Sequence, residues 1–187
     1  MAELLCNPNT LKKARKELCE ALGKDETIEE SHLFKLPFLQ AVVKETLRLH
    51  PPAPFLIPHK CDEIVNILGF DVPKNAQILV NVWAMGRDPT VWENPNMFMP
   101  QRFLECDINY KGKNFELIPF GAGKRICPGL PLAHRVVHLI VAVASLLRNF
   151  EWTLADGLKP KDMNMEEQFG LTLKRVLPLR VQAISLA

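Results

Sequence analysis

No two of the five cysteines, Cys6, Cys19, Cys61, Cys106 and Cys127, stand in a C-x-x-C pair, and their number is odd. Such a set supplies neither a disulfide framework nor a zinc ribbon, and a reducing cytosolic face suits it best. An excess of charge of one sign is also lacking. The 23 basic and 21 acidic side chains leave a formal net charge of +2, too little to argue for nucleic acid or an acidic membrane surface as partner. There is no long hydrophobic run: the most apolar stretch, Val136 to Leu147, is too short to cross a bilayer and is interrupted by His138, so it reads as a buried helix. Met1 to Leu5 carry Glu3 where a signal peptide would have basic residues ahead of an apolar core, so no leader is read. Internal repeats, low-complexity tracts and a second domain find no support. What remains is 187 residues, 48% hydrophobic, enough for one domain with a sizeable core.

The most specific stretch is Phe120-Gly121-Ala122-Gly123-Lys124-Arg125-Ile126-Cys127-Pro128-Gly129. Three glycines and a proline suit a tight irregular loop whose backbone visits positive φ and can pass close to a flat partner. Cys127 falls near its tip. A helix starting just after it, together with Arg125, favours the thiolate, the form in which cysteine binds a metal. Two phosphate-binding readings of the same glycines fail on spacing. A P-loop requires Ser or Thr where Arg125 stands, and a dinucleotide fingerprint requires glycine where Ile126 stands.

Phe120, Gly123, Arg125, Cys127 and Gly129 match F-x-x-G-x-R-x-C-x-G, and by this pattern the chain resembles the cytochrome P450 family, in which the loop cysteine is the axial ligand of haem iron. The similarity runs along essentially the whole chain and is strongest to plant members that hydroxylate terpenoids, of the geraniol-hydroxylase type. It implies an α+β fold, the C-terminal part of the P450 fold, mostly helical with small β-sheets, with residues 1–187 forming one partial domain. It also implies haem b (iron protoporphyrin IX) as cofactor, with Cys127 as iron ligand and Arg125 on a propionate. His59 occupies the place where relatives put a second propionate partner.

Along the chain, Asn7-Pro8 reads as an N-cap and first helical residue, with Leu11, Ala14, Leu18 and Leu22 on one face of a surface helix that Gly23 ends. Met1 to Cys6 are too short to nucleate a helix alone, and by the resemblance they continue a segment lying upstream. A polar linker, Lys24 to Ser31, and a short helical stretch lead to Leu36-Pro37. There a buried helix opens and runs to Leu49 before Pro51-Pro52. It carries Glu45 and Arg48 at i and i+3. Two charges in a buried helix require a further partner. The resemblance supplies one, Arg102 of Pro100-Gln101-Arg102-Phe103, where Gln101 replaces the family's usual glutamate.

From Phe55 to Val82 the texture is of short strands, Phe55 to Ile57, Ile64 to Leu68, Phe70 to Val72 and Gln77 to Val82, implying a small sheet. Trp83 to Arg102 reads as an ordered meander anchored by its aromatic residues, and Asp107 to Phe115 as an exposed loop. A helix from about Leu130 to Arg148 follows, and β-type texture returns after Phe150. The resemblance assigns Ala53, Phe55, Leu56 and Ile57, and a hairpin tip with Phe169, Gly170 and Leu171, to the substrate pocket. His134 and His138, at i and i+4, allow a separate zinc reading with Cys127.

The implied activity of the whole enzyme is monooxygenation of a small apolar molecule such as a terpenoid. It depends on NADPH and on cytochrome P450 reductase, at the cytosolic face of the endoplasmic reticulum membrane. No membrane anchor, distal acid, distal threonine or opposite-side propionate partner is read in these residues, so no catalytic residue is assigned and the chain alone is expected not to turn over substrate. The rival expectation is a truncated, non-catalytic product that binds haem poorly or serves as an interaction module.

Overall fold

The computed structural model describes residues 1–22, 28–135 and 138–186, and the side chains of these except residues 30 and 133–142. Its organising element is helix α3 (Pro37–Leu49). Proline at its first turn needs no intrahelical N–H bond there and presets φ. Two N–H groups of that turn that have no intrahelical partner, at Phe38 and Leu39, donate to the Glu17 carboxylate at 2.7 and 2.9 Å. Glu17 lies on α2 (Pro8–Ala21), so one helix caps another.

α3 faces two cores. Leu36, Phe38, Leu39 and Val42 pack with Leu4 of α1 (Ala2–Cys6), with Ala14 and Leu18 of α2, and with Ala144 and Leu147 of α6 (His138–Asn149). On its other side Ala41 meets Trp92, Phe103, Tyr110 and Leu117. The amphipathic reading of α2 holds in its buried face, whereas Gly23 lies outside the described residues. Asn7 sits at the N-cap of α2, but its side chain donates backward to the Glu3 carbonyl at 2.8 Å instead of capping. The short α1 is ordered by burial, with Leu4 and Leu5 in the interior, which local propensity alone cannot achieve.

Among the described residues the β-structure consists of four separate antiparallel pairs. β1 (His59–Lys60) pairs with β4 (Gln77–Ile78), and β2 (Val65–Ile67) pairs with β3 (Phe70–Val72). β5 (Phe150–Leu154) pairs with β8 (Val181–Ser185), and β6 (Glu167–Gln168) with β7 (Lys174–Arg175). The expected strand over Phe55 to Ile57 is absent. Leu56 takes φ of 53° and its N–H bonds the Ala53 carbonyl at 3.1 Å, making a turn. Prolines 51, 52, 54 and 58 remove the donors that a ladder would need. The strand expected to reach Val82 stops at Ile78, because the Asn81 side chain accepts from Ala84 N–H at 2.9 Å and starts α4 (Val82–Met85). The segment before the loop at 120 is not wholly exposed either: Tyr110 is buried, with its ring 5.9 Å from that of Phe120.

Candidate functional site

The loop predicted from glycine and proline closes on itself. Gly121 and Gly123 take φ of 75° and 65°, where a Cβ would be strained. The Gly121 N–H bonds the Ile118 carbonyl at 2.9 Å, a 3-10 turn over Gly123–Arg125 is closed from Ile126 to Gly123 at 3.2 Å, and Cys127 N–H reaches back to the Phe120 carbonyl at 2.9 Å. Helix α5 (Leu130–Arg135) starts with Leu130 N–H on the Cys127 carbonyl at 3.0 Å. Cys127 is a half-buried free thiol whose neighbourhood is held by backbone bonds. At Gly129 a Cβ would stand 3.6 Å from its Sγ, so the glycine leaves that side of the sulfur bare.

One further glycine escaped sequence reasoning. At Gly112, φ is 80° and a Cβ would fall 2.6 Å from Ile126 Cδ1 and 3.2 Å from the Gly121 carbonyl, so only glycine lets this segment close against the Cys127 loop. Nothing in its local sequence marks that contact.

Among the described residues no group of three or more His, Cys, Asp or Glu could hold a metal ion. A lone sulfur suits an iron whose remaining ligands come from a macrocycle, and the glycine-lined loop with its exposed Arg125 suits a flat anionic ring, so the residues fit haem. The side chains of His134 and His138 lie outside the described residues, and the zinc reading with them. Arg125 makes no side-chain bond among the described residues. His59 is exposed on β1 opposite Ile78, with no described side-chain partner.

The residues that the resemblance assigns to the pocket form two segments that meet. Leu56 Cδ1 lies 3.8 Å from the position of a Gly121 Cβ, so the turn at 53–57 abuts the Cys127 loop. The β6–β7 hairpin is fastened to the same turn by Leu173 N–H on the Pro52 carbonyl at 2.9 Å. Its Phe169 ring stands 6.2 Å from Phe55 and 6.0 Å from Trp83, the latter edge-on. Gly170 adjoins the Thr172 carbonyl, which a Cβ there would meet at 3.5 Å. Ile57 and Leu171 are 82% and 96% exposed, so this apolar surface is open to a ligand or to further protein.

Helix α3 also carries the charge network. Both Glu45 and Arg48 side chains are fully buried, and Arg48 donates to Glu45 through Nε at 2.7 Å and Nη2 at 2.8 Å. Glu45 also accepts from Met99 N–H at 2.7 Å and from Arg102 Nε at 3.2 Å. The rest of the Arg48 fork goes to the carbonyls of Gly86, Pro95 (2.7 Å) and Met97 (3.1 Å). Arg102 Nη1 adds the Glu93 carbonyl at 2.9 Å, and the Trp92 ring lies 5.3 and 5.9 Å from the two guanidinium carbons. The Arg48 fork thus orients Glu45 and, through the carbonyls of Gly86, Pro95 and Met97, pins the meander to α3, a use of arginine that lysine could not reproduce. Gly86 is obligatory here for a different reason: a Cβ would lie 2.3 Å from the Arg48 carbonyl oxygen.

The cytochrome P450 family model matches residues 1–179. The chain is 55% identical over 186 residues to cytochrome P450 76T24 of Catharanthus roseus, covering 100% of this chain and 37% of that protein. It is 54% identical over 180 residues to geraniol 8-hydroxylase of the same plant, covering 96% of this chain and 36% of the relative. A solved zebra fish cytochrome P450 with abiraterone superposes with a TM-score of 0.85 at 32% identity, covering 98% of this chain and 41% of that one. The chain therefore spans little more than a third of the length of the curated relatives it matches.

Proposed function

The chain belongs to the cytochrome P450 family, and we propose that it forms the thiolate-bearing C-terminal part of a haem b monooxygenase that hydroxylates a small apolar molecule of terpenoid type. The observation that carries this reading is the solitary, half-buried Cys127 on its glycine loop, with an apolar wall beside that loop. Geraniol 8-hydroxylases of Catharanthus roseus and Swertia mussotii, at 54% and 52% identity, support the substrate class. Bound here, haem would supply reductive activation of dioxygen, with the sulfur ligand favouring O–O cleavage.

The chain's own residues divide that work. Cys127 holds the iron, Arg125 and His59 neutralise the propionates, and Phe120, Gly123 and Gly129 shape the loop so that the ring can approach the backbone. Ala53, Phe55, Leu56, Ile57, Phe169, Gly170 and Leu171 exclude water and orient an apolar substrate by contact. Glu45, Arg48 and Arg102 hold the helix and meander together. Electrons come from NADPH through cytochrome P450 reductase, and the complete enzyme works at the cytosolic face of the endoplasmic reticulum membrane. Among the described residues no helix is long and apolar enough to cross a membrane.

The test joins this chain to the amino-terminal portion of the Catharanthus geraniol 8-hydroxylase, in membranes supplied with reductase and NADPH, with geraniol as substrate. Expected are hydroxylated geraniol and a thiolate-type ferrous–carbonyl spectrum, both lost in Cys127→Ala. Retention of that spectrum in Cys127→Ala would remove the ligand assignment, and a correct spectrum with no oxidation of any terpenoid alcohol would remove the substrate class.

A further inference from the structure

His50, the residue that ends α3, lies between two carboxylates. Its Nε2 is 2.7 Å from Glu3 Oε1 on α1, and its Nδ1 contacts Glu167 Oε1 on β6. A neutral imidazole has one N–H and could serve only one of them, leaving a lone pair facing the other carboxylate; both bonds form together only in the imidazolium. The proton on His50 therefore decides whether α1 and the β6–β7 hairpin are tied to the end of α3.

Glu167 is the anchor of that hairpin. Its second oxygen accepts from Trp83 Nε1 at 2.9 Å and lies 3.7 Å from Arg87 Nη2, and Arg87 stacks on the Trp83 ring with its guanidinium carbon 4.0 Å from the centroid. Strands β6 and β7 contribute only two residues each, too few to hold a hairpin by pairing alone. One residue separates Glu167 from Phe169, whose ring rests on Phe55 and Trp83. A change at the Glu167 carboxylate is thus delivered to the tip.

We propose that His50 is a positioning residue for the substrate pocket: as an imidazolium bridging Glu3 and Glu167 it moors the β6–β7 hairpin, and loss of its proton removes that mooring and loosens the tip that carries Phe169, leaving the hairpin to the Leu173–Pro52 bond and to the contacts of Glu167 with Trp83 and Arg87. This rests on the reading of residues 169–171 as pocket lining. Burial by itself lowers the His50 pKa, but hydrogen bonds to Glu3 and Glu167 and their charges outweigh it and raise the value above that of an ordinary histidine. Among the charged or titratable groups, Glu3 on α1 acts on His50 directly, the Met1 amino group and Cys6 act on Glu3, and Arg48 on α3 acts on Arg87. Glu167 on β6 acts on His50 directly, whereas Arg87 after α4 acts on Glu167 and Glu3, and Arg175 on β7 acts on Cys6. Burial lowers the pKa of the Met1 amine, which faces Glu3, so its titration has to be separated from that of His50.

The experiment follows the three tryptophan indole N–H resonances of the chain by 15N NMR between about pH 5 and 9, with His50 ring signals in parallel. The Trp83 indole is expected to titrate with the His50 midpoint while Trp92 and Trp152 stay flat, and this titration is expected to vanish in His50→Gln. Glu3→Gln, which leaves His50 one carboxylate, should move the midpoint down, and serves if His50→Gln does not fold. A flat Trp83 signal, or the same titration in His50→Gln, would overturn the mooring. None of this requires haem or substrate, so it stands or falls apart from the thiolate assignment. In the geraniol assay of the joined enzyme, KM should rise above the His50 midpoint with kcat unchanged, and lose that pH dependence in His50→Gln. A coupled Trp83 titration with a pH-independent KM would overturn the positioning role.

Discussion

Replacing Glu45 by alanine removes the one carboxylate that serves Arg48, Arg102 and the Met99 N–H at once. It deletes acceptors at 2.7, 2.8, 3.2 and 2.7 Å and leaves Arg48 fully buried with three carbonyls and no countercharge. Breaking a buried ion pair from one side costs about 3 to 5 kcal/mol, because the surviving charge stays desolvated. Against a total stability of about 5 to 15 kcal/mol for an ordinary domain, that is a large share. Arg102 is 10% exposed and its removal leaves Glu45 doubly bonded to Arg48, so Arg102→Ala should cost less, about 1.5 to 3 kcal/mol. The two losses share one contact, and the double variant should fall short of their sum by about 0.5 to 3 kcal/mol. Urea unfolding followed by far-ultraviolet circular dichroism reads this as a lower midpoint at unchanged slope. A loss under about 1 kcal/mol for Glu45→Ala, additive with Arg102→Ala, is the behaviour of a solvated surface pair and would refute the reasoning.

Gly86→Ala, although its φ is ordinary, should destabilise by about 1 to 3 kcal/mol because the added methyl meets backbone 2.3 Å away; a neutral effect in the same urea assay would contradict that contact. Glu17→Ala removes the cap that α2 gives to α3 and should cost about 0.5 to 2 kcal/mol, with faster exchange of the Phe38 and Leu39 amides as its local mark. For His50 the folded-state pKa is raised, so its contribution to stability is complete below the unfolded value of about 6.5 and disappears as pH rises through the folded value; midpoints measured across that window should fall in the wild type and not in His50→Gln. Phe169→Ala and Phe55→Ala each strip one ring from the same contact, so their effects on geraniol KM should be non-additive, and independent effects would separate the two segments.

Several features were settled by the sequence alone because their causes are local. Positive φ at Gly121 and Gly123, a proline at the start of α3, and the paired prolines after it act within a few residues, so the Cys127 loop and the limits of α3 could be read from the chain. The Glu45–Arg48 pair is likewise one turn of helix. Arg102, 57 residues away, was recognisable only through the family motif, and its bond to Glu45 is a matter of tertiary packing. Phe55 to Ile57 misled because apolar spacing resembles a strand, while the prolines around it withhold the N–H donors that pairing needs. Gly86 and Gly112 look like any loop glycine; what makes them necessary is a carbonyl of α3 and the Cys127 loop, both brought there by folding. The two partners of His50 lie 47 and 117 residues away, and no periodicity or propensity encodes such a distance. Backbone geometry follows from neighbours in sequence, whereas the partner of a buried charge is chosen by whichever elements the cores press together.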